Sequence, residues 1–274
     1  MHCAWKELLG ILPMWMRSDV DRIGRGGLQE LRLRMHAPPE LCLPADRHWI
    51  SREVNRDDLT YIINAASRYS PWSASTMAQG YITACGGHRI GICGEAVLQR
   101  GQVTGIREIS SLCIRVARDF WGIAEKAMLS QGSVLVIGAP GWGKTTLLRD
   151  LIRKISDTET VSVVDERAEL FPEGFTRGKR MDVLTGCSKQ SGIGMVLKTM
   201  GPSVIAVDEI TSQEDCCALI QAANCGVRLL ATAHASSCED FLKRIVYRPL
   251  IEQQIFSTLL VLHADKSYAV ERVS

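Results

Sequence analysis

The sequence predicts an α/β protein in which a smaller α+β domain, residues 1–120, precedes a domain over 121–274 that is built on a parallel sheet. In the second half, short continuous runs of Val, Ile and Leu alternate with segments of helical periodicity. That pattern is typical of parallel strands covered by helices on both faces. In the first half, short apolar runs are instead broken by glycine turns. A length of 274 residues suits two such domains.

In the first domain, four segments indicate regular elements. Leu28–Met35 alternates apolar and polar residues at its end and is predicted to be a half-buried strand. An Asp at the start and apolar residues at helical spacing predict a helix over Asp57–Tyr69. Tyr81–Leu98 is predicted to form strands with glycine turns, and Ser111–Ala117 to form another strand.

In the second domain, strands and helices are predicted in alternation. The strands are expected at Ser133–Gly138, Val161–Asp165, Val204–Asp208, Val227–Ala233 and Thr258–His263. The helices are expected at Lys144–Ile155, Ile193–Met200, Glu214–Cys225 and Cys238–Val246.

Composition indicates a soluble globular protein. Hydrophobic residues make up 46% and charged residues 23%, which excludes disorder and low-complexity repeats. Lys and Arg number 32 against 30 Asp and Glu, so the net charge of +2 argues against a bulk nucleic-acid binder. The charge is unevenly divided, because residues 1–118 hold 15 basic and 11 acidic side chains and residues 119–274 hold 17 and 19.

Membrane spans and disulfides are not expected. The apolar stretch Leu8–Met16 is interrupted by Pro13, and it is much shorter than the roughly 20 residues that a span needs. It also lacks the basic region and cleavage site of a signal peptide. The ten cysteines include no C-x-x-C pair, so we expect small buried thiols in a reducing cytosol.

The turn between the first strand and helix of the second domain carries the strongest motif. Residues 138–145 match G-x-x-x-x-G-K-[ST] at every fixed position. Glycines let backbone N–H groups surround a phosphate, and the helix N-terminus adds positive charge. We expect Lys144 to bridge the β- and γ-phosphates and the Thr145 hydroxyl to bind Mg²⁺. Trp142 is a bulky residue for such a loop, but its side chain can point outward, since the loop uses backbone groups. The predicted nucleotide-binding residues are Gly138, Ala139, Pro140, Gly141, Trp142, Gly143, Lys144, Thr145 and Thr146.

Two later strands end in Asp-Glu, at 165–166 and 208–209. Asp208 is expected to hold Mg²⁺ through water, and Glu209 to polarise the attacking water. Strand ends at one edge of a parallel sheet line a common crevice. Asp165 is therefore a second candidate metal ligand, and Glu166 is a second candidate catalytic residue. The alternative is that these carboxylates only cap turns.

Two basic side chains are expected at the same edge. His234 ends the fourth strand and could hydrogen-bond a γ-phosphate or relay the nucleotide state. Arg167 follows the first Asp-Glu pair and could neutralise phosphate charge. A structural histidine and a surface salt bridge are the alternatives for these two residues.

Together these motifs resemble those of the secretion-ATPase superfamily of hexameric RecA-like motors. Residues 138–145 are similar to its Walker A motif, 163–169 to its Asp box, 204–209 to its Walker B motif and 232–234 to its His box. Further segments narrow the resemblance to the stage III sporulation protein AA family, over roughly residues 28–262. These segments are 31–34, 87–94, 109–118, 145–150, 164–169, 180–184 and 231–234.

The resemblance implies a RecA-like P-loop ATPase that uses ATP and Mg²⁺. It also implies a homo-oligomer, expected to be a hexameric ring, with the nucleotide between domains and between subunits. The protein would be cytoplasmic, on the mother-cell side, docked on integral-membrane components of a sporulation channel or secretion complex. An arginine would complete the site. The candidates are Arg89, Arg115 and Arg118 of the first domain and the nearer Arg167, each equally open to a structural role.

Two other functions remain open on sequence alone. The basic first domain permits a nucleic-acid-stimulated motor, but no clustered aromatic–basic groove is present, so no nucleic-acid partner is expected. The second is a scaffold that binds nucleotide without hydrolysing it, and Glu166 and Glu209 argue against it. A GTPase is disfavoured, because the chain has no N-K-x-D motif.

Overall fold

The computed structural model describes residues 3–67, 77, 80–127 and 132–273. They divide into two compact units. The first unit holds the described residues up to Asp119 together with Pro172–Phe175, and the second holds Phe120–Phe171 and the described residues from Thr176 onward. Within the described part of the chain, no helix has both the length and the apolar character needed to cross a membrane.

The first unit is an antiparallel sheet with helices packed on one face. Its helices are α1 (Trp5–Ile11), α2 (Met14–Ile23) and α3 (Arg56–Ser67). Its strands are β1 (Glu30–Arg34), β2 (Glu40–Cys42), β3 (Arg47–Trp49), β4 (Tyr81–Thr83), β5 (Arg89–Gln99) and β6 (Gln102–Arg115), in the order β3-β2-β1-β6-β5-β4. Alternate strand residues such as Leu31, Leu33 and Ile90 form the core with Leu8 of α1 and Ile62 of α3. The predicted α+β character of this region is confirmed.

Besides the short strands β2 and β3, two further parts of the first unit go beyond the prediction. Helices α1 and α2 have only seven and ten residues and are separated by Pro13, so neither is long enough to give a strong periodic signal. Strands β5 and β6 form one long hairpin around Arg100–Gly101, and β6 begins nine residues before the predicted start at Ser111. Its outer part is exposed on both faces, which removes the alternation that marks a half-buried strand. The helix predicted over 57–69 is α3, and residues 68–69 lie outside the described residues.

The second unit is a mainly parallel sheet covered on both faces. Its strands are β7 (Val134–Gly138), β8 (Val161–Asp165), β9 (Met181–Thr185), β10 (Val204–Ile210), β11 (Arg228–His234), β12 (Thr258–Leu262) and β13 (Tyr268–Arg272). Its helices are α4 (Lys144–Ser156), α5 (Lys189–Thr199), α6 (Gln213–Asn224), α7 (Cys238–Lys243) and α8 (Arg248–Glu252), with a 3₁₀ turn at Ile245–Tyr247.

The strand order explains where the functional residues meet. The order is β13-β12-β7-β11-β10-β8-β9, and all neighbouring pairs are parallel except β12 with the edge strand β13. One face packs against α4 and the other against α5 and α6, so the apolar residues of the central strands are buried. The carboxyl ends of β7, β8, β10 and β11 therefore lie along one edge of the sheet.

The predicted parallel sheet is confirmed, but the second unit differs from the prediction in its edge strands, in the start of α5 and in the additional helix α8. Strands β9 and β13 at the sheet edges are not predicted, because edge strands lack the continuous apolar run of buried ones. Helix α5 begins at Lys189, four residues before the predicted start at Ile193. All ten cysteines are free thiols, but only Cys3, Cys42 and Cys216 are buried; four others are half-buried, and Cys93, Cys217 and Cys225 are exposed.

Candidate functional site

The turn from β7 into α4 has the backbone of a phosphate-binding loop. Gly141 and Gly143 have φ values of +76° and +103°, in the left-handed region that favours glycine. Gly143 caps α4, so the first N–H groups of the helix have no intrahelical partner and are available to an anion. A Cβ atom at position 138 would lie 3.0 Å from the Leu262 Cβ, so there is little room for a residue larger than glycine at this position. The predicted residues 138–146 all lie at this turn or in the first turn of α4.

Lys144, His234 and Glu209 form a hydrogen-bonded chain across three elements. The Lys144 ammonium is buried and donates to His234 Nδ1 at 2.9 Å and to the Ala139 carbonyl at 3.3 Å. His234 Nε2 lies 2.7 Å from Glu209 Oε1. An ammonium only donates and a carboxylate only accepts, so the imidazole carries its proton on Nε2. Burial lowers the pKa of Lys144, and the carboxylates of Glu209 and Asp208 oppose that shift.

Asp208 joins the phosphate loop to the neighbouring strand through two hydroxyls. Its Oδ2 accepts from Thr145 Oγ1 at 3.1 Å, and its Oδ1 accepts from Thr232 Oγ1 at 2.8 Å. The register between β10 and β11 shifts between Val207 and Ile210, and Glu209 inside this bulge has a φ of +26°. Bulges of this kind re-aim side chains, and positive φ at a non-glycine residue stores strain. The predicted metal ligands Thr145 and Asp208 thus lie together.

Asp165 has other partners than the predicted metal. Its carboxylate is buried and accepts the backbone N–H groups of Glu169, Leu170 and Phe171 at 2.8–2.9 Å. Burial raises the pKa of Asp165, while those hydrogen bonds act in the opposite direction. The geometry therefore assigns Asp165 to holding the turn 166–171, and it leaves Thr145 and Asp208 as the candidate ligands.

Glu166 and Arg167 lie beside the Asp208–Glu209 strand end. Glu166 Oε2 accepts from the Lys189 ammonium at 3.0 Å. Arg167 is exposed and lines the same small cavity as Asp208 and Glu209. Among the described residues, Arg167 has no ion-pair partner.

The three arginines predicted in the first domain all have local partners in the first unit. The Arg89 guanidinium lies 4.1 Å from the centre of the Tyr81 ring, and Arg115 Nε lies 3.6 Å from a Glu30 oxygen. Arg118 donates to the backbone carbonyls of Arg25, Gly26 and Leu28. Three carbonyl contacts indicate that Arg118 holds the 25–28 loop, whereas Arg115 is largely exposed.

An apolar cavity of about 350 Å³ lies beside the phosphate loop. Trp142 lines it and is half-buried against the core of the second unit, rather than pointing outward into solvent. Lys266 donates to the Gly141 carbonyl. The other lining residues are Phe120, Ile123, Gly143, Thr146, Leu147, Leu262 and Tyr268.

Sequence reasoning did not assign a role to Thr232, to Lys189 or to the cavity. Thr232 stands two residues before His234 at the predicted edge, and a polar residue inside an apolar strand was an available signal. Lys189 directly follows Ser188, a typical helix-capping residue that would have marked the start of α5. The cavity had no such signal, because its lining comes from four separate segments.

Comparison with known proteins identifies the family. The family model described as "Sporulation stage III, protein AA" matches residues 7–272. Stage III sporulation protein AA of Bacillus subtilis (strain 168) is 36% identical, over 95% of this chain and 91% of that protein. The chain therefore belongs to the stage III sporulation protein AA family, as the motifs predict.

Two solved structures share the fold. The pilus retraction motor PilT with bound ADP has a TM-score of 0.65 and 15% identity, covering 92% of this chain and 80% of that chain. The Legionella pneumophila ATPase DotB has a TM-score of 0.59 and 18% identity, covering 95% of this chain and 80% of that chain. These neighbours confirm the predicted RecA-like fold class.

Proposed function

We propose that this member of the family hydrolyses ATP in an Mg²⁺-dependent reaction that powers or gates a membrane-associated secretion or channel complex during bacterial endospore formation. One observation carries the enzymatic part of the proposal. A phosphate-binding loop, the Thr145–Asp208 contact and the Glu209–His234 contact all lie at one edge of one sheet. Phosphoryl transfer to water requires such an assembly of phosphate cradle, metal ligands and water-orienting carboxylate.

The residues present fit ATP and Mg²⁺. Thr145 and Asp208 supply oxygen donors, which Mg²⁺ prefers, and one hydroxyl and one carboxylate leave positions for phosphate oxygens and water. When bound, Mg²⁺ would neutralise charge on the β- and γ-phosphates. The apolar cavity beside the loop suits a nucleobase, with Trp142 and Tyr268 as aromatic neighbours.

The residues of the chain would act in a simple sequence. Lys144 leaves His234 to contact the β- and γ-phosphates, and the loop N–H groups hold the triphosphate in place. Glu209 orients a water molecule and accepts its proton. The water oxygen bonds to the γ-phosphorus while the bond to the bridging oxygen breaks, and ADP leaves with that electron pair.

The assembly in this proposal is a homo-oligomer, a hexameric ring, on the cytoplasmic, mother-cell side of integral-membrane partners. The sporulation role rests on the family, and the idea of a motor rests on the fold shared with the pilus retraction motor PilT. Arg89 or Arg115 of one subunit would complete the nucleotide site of its neighbour. Arg118 is the weakest of the three candidates, because its guanidinium already holds backbone carbonyls.

The test compares the wild type with Glu209→Gln and with the matched control Glu214→Gln, an exposed glutamate of α6. Phosphate release and binding of a fluorescent ATP analogue are measured. We expect Glu209→Gln to bind ATP normally and to lose at least about 100-fold in turnover, since it loses its general base. Glu214→Gln should match the wild type. A Glu209→Gln variant with normal turnover would contradict the assignment of the base.

The ring is tested by light scattering of Glu209→Gln with ATP across protein concentrations. A hexamer that appears with ATP supports the proposed assembly. A strict monomer that hydrolyses ATP rapidly would contradict it.

A further inference from the structure

Lys189 is a buried cation that the reaction outlined above does not use. It is the first residue of α5, and 9% of its side chain is exposed. Its ammonium lies 3.0 Å from Glu166 Oε2 and 3.5 Å from Asp215 Oδ2. Asp215 is itself fixed, because its Oδ2 accepts from both the backbone N–H and the hydroxyl of Thr211. Lys189 thus connects a fixed carboxylate to a more exposed one.

The position of Lys189 is unfavourable on local grounds. The first turn of a helix carries partial positive charge, which disfavours a cation there. Burial of an ammonium group adds a further desolvation cost unless carboxylates pair with it. Local rules are broken in this way mainly where a function requires it.

Lys189 and its partner Glu166 line a small polar cavity. The cavity has a volume of about 30 Å³, enough for a single water molecule. Glu166, Lys189, Asp208 and Glu209 are among the residues that line it. The cavity is lined by five acidic residues, which also include Asp165 and Glu169, and by the two cations Lys189 and Arg167. Carboxylates around so small a space repel one another, and 40% of the Glu166 side chain is exposed. Lys189 is the cation that contacts Glu166, so without Lys189 we expect Glu166 to turn towards solvent.

We propose that Lys189 is a positioning residue that holds the Glu166 carboxylate at this cavity, where Glu166 orients the attacking water together with Glu209. The inference rests on the proposed ATP hydrolysis. It also implies that the two glutamates are positioned by different basic side chains. Glu209 contacts His234. Glu166 contacts Lys189, and Lys189 is in turn fixed by its ion pair with Asp215.

The test measures kcat, the KM for ATP and Tm for Lys189→Met, Glu166→Gln and the double variant. Lys198→Met, which changes an exposed lysine of the same helix, is the matched control. We expect Lys189→Met to lower kcat about 10- to 100-fold, with the KM within about twofold, because binding does not involve Lys189. The double variant should be no slower than Glu166→Gln, since both changes remove the same oriented carboxylate.

The outcomes separate this inference from the function on which it rests. An active wild type with an equally active Lys189→Met contradicts only the role of Lys189. Losses that multiply in the double variant contradict action through Glu166, and a raised KM with unchanged kcat indicates a structural role. A wild type without ATP hydrolysis contradicts the proposed function itself. If Lys189→Met does not fold, Lys189→Arg is used instead, because it keeps the positive charge but changes the length and shape of the side chain. A lower kcat with unchanged KM would again support the positioning role, and an unchanged kcat would contradict it.

Discussion

Neighbouring strands β8 and β10 both carry the dipeptide Asp-Glu at their carboxyl ends, 165–166 and 208–209, yet the two aspartates have different partners. At the end of β8, Asp165 is buried and accepts three backbone N–H groups of the turn that follows it. At the end of β10, Asp208 accepts two hydroxyls, one of them from the phosphate loop. The same dipeptide in the same position of one sheet therefore gives a turn-holding carboxylate in one case and a candidate metal ligand in the other.

The chain that follows each aspartate accounts for the difference. After Asp165, residues 166–171 fold back so that their N–H groups meet its carboxylate. After Asp208, the bulge at Glu209 continues β10 and leaves the Asp208 side chain directed at Thr145. The glutamates differ likewise, because Glu166 pairs with Lys189 and Glu209 with His234.

The largest expected effect comes from Asp208→Asn. This change keeps the size of the side chain but removes the charge next to Thr145. We expect Mg²⁺-dependent ATP turnover to fall at least about 100-fold, with little change in Tm, because metal binding loses its carboxylate. The matched control is Asp182→Asn on the exposed part of β9, which should hydrolyse ATP at the wild-type rate. Normal turnover in Asp208→Asn would remove the distinction between the two strand ends.

A smaller effect, on stability, is expected for Asp165→Ala. The change leaves the N–H groups of Glu169, Leu170 and Phe171 without their acceptor. We expect a loss of about 3 kcal/mol in the free energy of unfolding, measured by urea denaturation. A loss below about 1 kcal/mol combined with a large loss of turnover would instead support the metal-ligand role that strand-end spacing predicts.

The smallest effect is expected for Thr232→Val. The hydroxyl of this buried threonine donates to Asp208 and accepts the backbone N–H of Glu209 at 2.9 Å. We expect turnover to fall about 5- to 10-fold and stability by about 1 kcal/mol, because both strand-end residues lose one orienting contact. Ser162→Ala is the control, since the buried Ser162 hydroxyl on β8 has no hydrogen-bond partner among the described residues. Equal rates in the two variants would show that Thr232 does not support the site.

The sequence predicts those parts of the site that consist of contiguous residues or that lie at one edge of a parallel sheet. The phosphate loop is eight consecutive residues, and His234 follows from the rule that parallel strands end together. Lys189 is 23 residues from Glu166 and Thr232 is 24 from Asp208, so no local pattern could pair them. Asp165 was assigned to a metal on the same rule that placed Asp208 correctly beside Thr145. The rule locates an edge, but it does not identify the partner of each carboxylate.

Whether a strand is predicted from the sequence depends on how deeply it is buried. The central strands β7, β8, β10 and β11 are predicted because they are buried on both faces and consist of apolar runs. The exposed hairpin of β5 and β6 and the edge strands β9 and β13 depend on pairing with neighbours, which leaves little trace in composition.

The central claim is that the edge of the second sheet hydrolyses ATP with Mg²⁺. The most direct measurement is phosphate release from ATP by the purified wild type, with Mg²⁺ and then with excess EDTA, beside Glu209→Gln under both conditions. The account predicts release only from the wild type with Mg²⁺. Release that persists in EDTA, that equals the wild-type rate in Glu209→Gln, or that is absent from the wild type with Mg²⁺ would contradict it.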